Sequence, residues 1–367
     1  MIVLFCIVIL YAFCLLYFSI GFIKCQYFKQ NSKHVETKLS IIICARNEEA
    51  NIEKCLKGIA QQNYPKHLME IIFTDDASRD QTLLIAQDCL LNSGIEHQII
   101  QNKLQLGKKK SLAAAIALAK NELLITRDAD TFTDSNLWLQ SLVDFQNQTQ
   151  SDMVIAPLAM NSGKGFLWSL QALENNVLQV LSAGSNYFGQ SFLCSGANMA
   201  FTKKIYLTCN GYKSHLHLAS GDDVLFLEDV KKIPSSRITF LKSKDAIVNT
   251  YVINNISELI SQKVRWASKF KYNSNKLNFA LGFLSFLANA IWLICITKMF
   301  MQGALSQALI GILLIKLCVD FLILFVASNF IKNKSLMVYA IPALCIYPIY
   351  ACTIALASLL LKPHWKK

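Results

Sequence analysis

The sequence predicts an α/β domain built on a Rossmann-like, mainly parallel sheet and flanked by transmembrane α-helices. Three observations lead there. Apolar segments of membrane-crossing length stand at both ends. Between them, short apolar runs alternate with helical stretches at the spacing of β-α-β units. Charged clusters follow those runs directly, at the carboxyl ends of strands where open parallel sheets bind ligands.

Ile2–Ile23 is 22 residues without a charge, enough to cross a bilayer core. It lacks the basic start and the small-residue cleavage site of a signal peptide, so it reads as a retained anchor. Leu277–Met301, Gly303–Phe330 and Ser335–Leu361 are also long enough to span. Lys316 and Asp320 in the middle segment fall on one helix face at i and i+4 and neutralise each other inside a bundle. Pro342 and Pro348 predict a kink or a partly re-entrant course for the last one. The expected organisation is a span over 1–23, a working domain over 24–276 that ends in an interfacial helix, three membrane segments over 277–361 and a basic tail over 362–367.

The formal net charge is +12. Lys24–Lys276 carries 29 Lys plus Arg against 23 Asp plus Glu, which suits anionic headgroups and a phosphorylated substrate. Nucleic acid is not an expected partner, because no basic stripe interleaved with aromatics occurs. The 12 cysteines include no C-x-x-C, and Cys44, Cys55, Cys89, Cys194 and Cys209 have no framework spacing. They read as small buried hydrophobes on a reducing, cytosolic face. Lys24, Lys29, Lys33 and Lys38 after the first span, and Lys332 and Lys334 between the third and fourth, place both points in the cytoplasm. Four full spans then put the tail's three lysines outside, a conflict that a re-entrant last segment removes.

Within the working domain, Leu39–Cys44 reads as a strand buried on both faces. A helix from about Glu49 to Gln61 and a second strand over Met69–Thr74 complete a β-α-β unit. A helix from Asp80 to near Gly94, a strand over Glu96–Gln101, an alanine-rich helix over Ser111–Lys120 and a strand over Glu122–Arg127 continue the alternation. Beyond them lie an amphipathic stretch, Phe166–Leu181, a Gly/Ser-rich loop, Gly184–Gly196, and a helix over Ser220–Lys232. Ser257–Lys276 reads as a basic amphipathic helix in the headgroup region.

Five clusters can carry chemistry, and each has a plainer reading. Asp128-Ala129-Asp130 presents two carboxylates across one turn, as a phosphate-borne divalent cation requires; alternatively it caps a helix beginning at Asp134. Asp75-Asp76, after the second strand, can accept from a base or a ribose hydroxyl, or be a solvated turn. Gly107-Lys108 opens a helix where phosphate can bind, or is a solvated helix start. Gly221-Asp222-Asp223 offers a general base, or stabilises a helix amino end. Gln262, Arg265 and Trp266 share one helix face and can clamp a diphosphate and stack a sugar, or simply anchor at the interface.

In this order the clusters resemble the membrane-integrated members of glycosyltransferase family 2. The resemblance runs from about Leu39 to Trp266 and rests on Arg46-Asn47-Glu48, Asp75 to Asp80, Gly107-Lys108, Asp128 to Asp130, Ser195-Gly196-Ala197-Asn198, Asp222-Asp223 and Gln262 to Trp266. It implies a GT-A fold and an inverting transferase using a nucleotide-diphosphate sugar, first of all a UDP-sugar, with Mg²⁺ or Mn²⁺ as cofactor. By the same resemblance, Arg46, Asn47, Glu48, Asp75, Asp76, Lys108, Asp128, Gln262 and Arg265 bind the donor. Asp130 and Asp128 hold the metal, Asp223 with Asp222 forms the catalytic pair, and Gly196, Asn198 and Trp266 face the acceptor. The chain departs from the family pattern at Ala77, where Gly is usual, and at Asp222, where Glu is usual. A lipid or glycolipid acceptor at an inner, cytoplasmic membrane is expected, with the domain facing the cytoplasm. A processive polysaccharide synthase and a non-catalytic nucleotide-sugar-binding subunit are the alternatives.

Overall fold

The computed structural model describes residues 2–30, 36–218, 221–268, 276–302, 306–331 and 333–360. Its elements are α1 (Ile2–Lys24), β1 (Leu39–Ala45), α2 (Ile52–Ala60), β2 (Met69–Asp75), α3 (Thr82–Leu91), β3 (Glu96–Gln101), α4 (Lys108–Leu118) and β4 (Leu123–Asp128). Then come β5 (Thr131–Phe132), α5 (Trp138–Thr149), β6 (Met153–Ile155), β7 (Leu158–Ser162), α6 (Gly165–Tyr187), β8 (Met199–Thr202) and α7 (Lys203–Thr208). The chain continues through α8 (Val224–Lys231), β9 (Ile238–Phe240), β10 (Val248–Tyr251), α9 (Ile256–Ser268), α10 (Lys276–Gln302), α11 (Gln307–Ile331) and α12 (Ala340–Leu360). Two compact units result: a sheet unit, Cys25–Ser162 with Gly189–Tyr251, and a helical unit, Met1–Lys24 with Gly163–Phe188 and Val252–Lys367.

The sheet unit holds a seven-stranded sheet in the order β3-β2-β1-β4-β8-β6-β9. Strands β1 to β4 run parallel, and β8 is antiparallel to both β4 and β6. The apolar run of β1 is central because Ile41, Ile42 and Ile43 are fully buried with helices on both faces. Strand β3 closes one edge with Glu96 and Gln101 exposed at its ends. A three-stranded sheet, β5-β10-β7, lies beside it. The core joins β1, β2 and β4 to α2 and α5 through Ile52, Ile59, Phe73, Trp138 and Leu142.

Several expected boundaries move for identifiable reasons. Helix α2 starts at Ile52 because Asn47 takes a left-handed φ of 54° and Asn51 N–H bonds back to Glu48 C=O. Helix α4 starts at Lys108 because Gly107, at φ 89°, turns the chain directly into it. No helix begins at Asp134. Residues 131–132 pair with β10 as β5, and the chain turns helical only at Trp138.

The predicted Gly184–Gly196 loop is also shorter, since α6 runs to Tyr187. Gly184 belongs to a helix contact, where an added Cβ would collide with the Phe18 carbonyl of α1, and a Cβ on Gly21 would lie 2.6 Å from the Gly184 carbonyl. Small residues allow this close helix approach. Ring stacking of Tyr17 on Phe188 at 4.0 Å extends the contact.

Four helical stretches of the helical unit, Ile2–Lys24, Lys276–Met301, Gln307–Ile331 and Lys334–Leu360, are long and apolar enough to cross a membrane. The last includes a 3-10 turn over Lys334–Tyr339 and carries Pro348 inside α12. Lys316 and Asp320 pair at 2.6 Å, as their spacing predicts, and Tyr11 of α1 adds a hydrogen bond to Asp320 at 2.8 Å. Helix α6 packs against α1 and α11, and its Asn176 donates to Asn333 Oδ1 at 2.9 Å. The stretch read as one block over 24–276 is thus divided, with α6 and α9 in the helical unit. Lys33, Ser220, Lys269, Lys271, Lys332 and the tail 362–367 lie outside the described residues.

Candidate active site

At the carboxyl ends of β1 and β2 two loops interlock. Asn47 N–H donates to Ser78 Oγ at 3.0 Å, and Arg79 N–H donates to Asn47 Oδ1 at 2.9 Å. Glu48 N–H donates to Thr82 Oγ1 at 2.7 Å, and Gln81 N–H to Glu49 Oε2 at 3.0 Å. Arg46 donates from Nη1 to the Asp76 carbonyl at 3.0 Å. The Arg46-Asn47-Glu48 motif therefore holds the acidic loop in place as one rigid rim.

Ala77 sits at φ 59° in that loop. A Cβ in the left-handed region costs about 1–2 kcal/mol, so alanine at this position is strained. Ala77→Gly is expected to raise the thermal midpoint of the purified chain by about 2 °C, the shift for about 1 kcal/mol less the extra chain entropy of glycine. An unchanged or lower midpoint would contradict it.

The two neighbouring acids divide the work. Both oxygens of buried Asp76 are taken: Oδ1 accepts from Asn102 Nδ2 (2.9 Å), Leu106 N–H (2.8 Å) and Ser111 Oγ (3.0 Å), and Oδ2 from Gly107 N–H (2.9 Å). Asp76 thereby fixes the turn that launches α4. Asp75 Oδ2 accepts from Ser78 N–H at 3.1 Å, whereas its Oδ1 is buried with no hydrogen-bond partner. Cys44, just behind, is no nucleophile, for burial and then the Asp76 charge push its thiol up to about 12.

Lys108 gathers the remaining clusters. Its Nζ lies 2.7 Å from Asp128 Oδ1 and 3.0 Å from Asp222 Oδ2. Burial favours the neutral amine, yet Asp128, Asp222 and Asp223 together outweigh it and hold the ammonium well above the ordinary lysine pKa. Asp223 precedes α8, accepts Val224 N–H at 2.7 Å through Oδ1, and keeps Oδ2 3.5 Å from Gly196 N. Gly196 leaves the room: a Cβ there would stand 2.9 Å from Asp222 Oδ2. Asp222 is buried, while Asp223 and Asp130 are half-buried.

Among the described residues no three His, Cys, Asp or Glu side chains cluster to hold a metal. The two carboxylates on the Asp128–Asp130 turn nevertheless fit a hard cation that brings phosphate oxygens as its other ligands.

Two of the sequence's candidate groups have other surroundings. Asn198 is fully buried and donates from Nδ2 to the carbonyls of Pro157 (2.7 Å) and Ala246 (2.8 Å), so its amide is a brace and not a surface for an acceptor. Gln262, Arg265 and Trp266 lie on α9 in the helical unit, where Lys263 of the same helix pairs with Glu174 of α6 at 2.5 Å and lies 4.8 Å from the Trp266 ring.

Two residues near the Asp222-Asp223 segment escaped sequence reading. Lys109 is buried and donates to the His215 carbonyl at 2.8 Å; only its place in a Lys-Lys-Lys run hid it. His215 Nε2 is 3.3 Å from Asp229 Oδ2. Burial and then Lys109 nevertheless lower the imidazole to about 4. Its folded pKa lies below the unfolded 6.5, so the unfolded chain binds the extra proton and stability falls as pH drops from 6.5 towards 4. His215→Gln is expected to flatten the thermal midpoint over that window; a slope equal to the parent's would overturn it.

Residues 40–208 match the family model described as Glycosyl transferase family 2. Poly(ribitol-phosphate) beta-N-acetylglucosaminyltransferase TarS of Staphylococcus aureus is 25% identical over 192 residues, covering 47% of this chain and 33% of TarS. An N-acetylglucosaminyltransferase of Rhizobium meliloti is 26% identical over 272 residues, 69% of this chain and 62% of that protein. The chain thus spans less than two-thirds of the length of either relative. The structure of the mannosyltransferase PcManGT from Pyrobaculum calidifontis, in complex with GDP-Man and Mn²⁺, is similar with a TM-score of 0.60 at 16% identity, covering 95% of this chain and 99% of that one. The fold is accordingly GT-A, with one long apolar helix before the α/β part and three after it.

Proposed function

We propose that this chain is a membrane-integrated, inverting glycosyltransferase of family 2. It moves a sugar from a nucleotide-diphosphate sugar, first of all a UDP-sugar, to a hydroxyl of a lipid or glycolipid at the inner, cytoplasmic membrane. The observation that carries this reading is the convergence of Asp128, Asp222 and Asp223 on Lys108 at the strand ends of the sheet unit. Such gathering of titratable groups marks a reacting centre, and the family match over 40–208 supports the donor class.

Asp75, with one buried oxygen still unpartnered, takes the nucleoside, while Asp76 and the Arg46-Asn47-Glu48 loop shape its cradle. Lys108 neutralises the departing diphosphate. The acceptor hydroxyl attacks C1 of the donor sugar in one displacement: the new C–O bond forms, the bond to diphosphate breaks, and Asp223 receives the proton. Mg²⁺ or Mn²⁺ held by Asp130 with Asp128 would supply Lewis-acid stabilisation of the leaving group. Asp222 is the poorer base, because it is buried and already paired with Lys108.

The test is release of nucleotide diphosphate from UDP-, GDP- and dTDP-sugars by the full chain in vesicles, with and without Mn²⁺. Metal-dependent release with one donor is expected; donor binding without turnover across acceptors would favour the non-catalytic alternative. Sizing of the product then decides the acceptor class, one sugar per acceptor arguing against a processive synthase.

A further inference from the structure

Arg127 ends a strand segment that is otherwise apolar or neutral, Leu123–Thr126, and its side chain is 1% exposed. It contacts none of the clustered carboxylates among the hydrogen bonds and ion pairs of the site. Its Nε donates to Thr131 Oγ1 at 3.1 Å, and the Thr131 hydroxyl donates onward to the Asp128 carbonyl at 2.6 Å. The guanidinium carbon also stands over the Trp138 ring, 4.4 Å from its centroid, while Nη1 and Nη2 are buried without an acceptor. A buried cation with unsatisfied donors is an expensive arrangement, so stability alone is a poor reason for its presence.

The far side of Trp138 continues the chain of contacts. Its Nε1 donates to Asn198 Oδ1 at 2.9 Å. Asn198, braced on Pro157 and Ala246, closes the 195–198 turn through its own N–H on the Ser195 carbonyl at 3.1 Å. That turn carries Gly196, whose N–H faces Asp223 and whose missing Cβ admits Asp222.

We infer that Arg127 is a positioning residue: through Thr131 it fixes the Asp128–Asp130 turn, and through Trp138 and Asn198 it fixes the Gly196 turn beside Asp222 and Asp223. Donor carboxylates and base are thereby set at one mutual spacing by a relay that touches neither substrate. Lysine keeps the charge but lacks the Nε donor and the guanidinium body over Trp138, so it does not replace arginine here. The inference rests on the transferase reading for its kinetic consequence and on geometry alone for its structural one.

The test compares Arg127→Lys and Thr131→Val with the parent full chain in vesicles. Arg127→Lys is expected to lower kcat by about 10²-fold, the cost of a misplacement on the order of 1 Å, with donor KM within about threefold. Amide hydrogen exchange at Gly196, Ala197 and Asn198 is expected to speed up by about tenfold or more, while β1 and β2 stay protected. If Arg127→Lys does not fold, Thr131→Val, which removes only the hydroxyl bridge, must show the same kcat loss without a KM change. Parent-like exchange at 196–198 together with a kcat within about twofold would overturn the relay. A parent chain that releases no nucleotide diphosphate would instead overturn the transferase reading, and the exchange data would still decide the relay.

Discussion

Asp223→Asn is expected to cut sugar transfer by about 10²–10⁴-fold, the range for loss of a general base, while donor affinity stays nearly the same. The amide keeps the size of the carboxylate and can still accept the Val224 N–H that Asp223 now holds at 2.7 Å, so the start of α8 is preserved. Of the three acids that hold the Lys108 ammonium, Asp223 acts least, so loss of proton acceptance is the largest change. Asp222→Asn provides the contrast, for it removes a charge from Lys108 and should weaken donor binding as well as turnover. Initial rates with saturating acceptor, beside donor binding by calorimetry, separate the two. An Asp223→Asn enzyme that retains most of its transfer rate would exclude this residue as the base.

Lys108→Met is the second large effect. One ammonium now lies within 3.0 Å of Asp222 and closer still to Asp128. Removing it leaves two carboxylates at one small site without their shared counter-ion. Transfer should fall by about 10²-fold, as for loss of one preorganised donor at a developing charge. In the parent, Lys108 has a folded pKa raised above the unfolded value. The stability it adds is therefore complete below the ordinary lysine pKa of about 10.4 and fades only as pH climbs through the folded value. Thermal midpoints taken between about pH 6 and 9 should show no titration of this bridge. A Lys108→Met rate within about threefold of the parent would remove Lys108 from the site.

The parallel half of the sheet was legible because β1 and β2 are buried on both faces and write that as continuous apolar runs. The acidic clusters were legible because they follow those runs directly. What joins them was not: Lys108 pairs with Asp128 and Asp222 across the sheet unit, and no local period encodes a contact between distant loops. Arg127 left one signal, a charge inside a buried strand, which spacing alone does not interpret. Asn198 was misleading for the opposite reason, since a polar residue in a Gly-containing loop resembles a ligand contact until its burial is known. Ala77 shows a finer limit, where a residue type looked acceptable and only the backbone revealed φ 59°. Helix α6 reads as amphipathic either way, and its assignment to the helical unit follows from Gly184 meeting Phe18.

The place of α6 in the chain also dictates an order of manufacture. During synthesis β4 has one partner, β1, as soon as it emerges, but its other neighbour is β8. Residues 163–188 come off the ribosome before β8 does, and they belong with α1, the first helix made. An exposed strand edge invites mispairing while it waits. Seating of α6 on α1 and closure of the sheet are therefore interleaved steps of one biogenesis. A fragment trimmed at both ends, Cys25–Tyr251 for example, would keep α6 but lose α1 and α11, the helices it packs against.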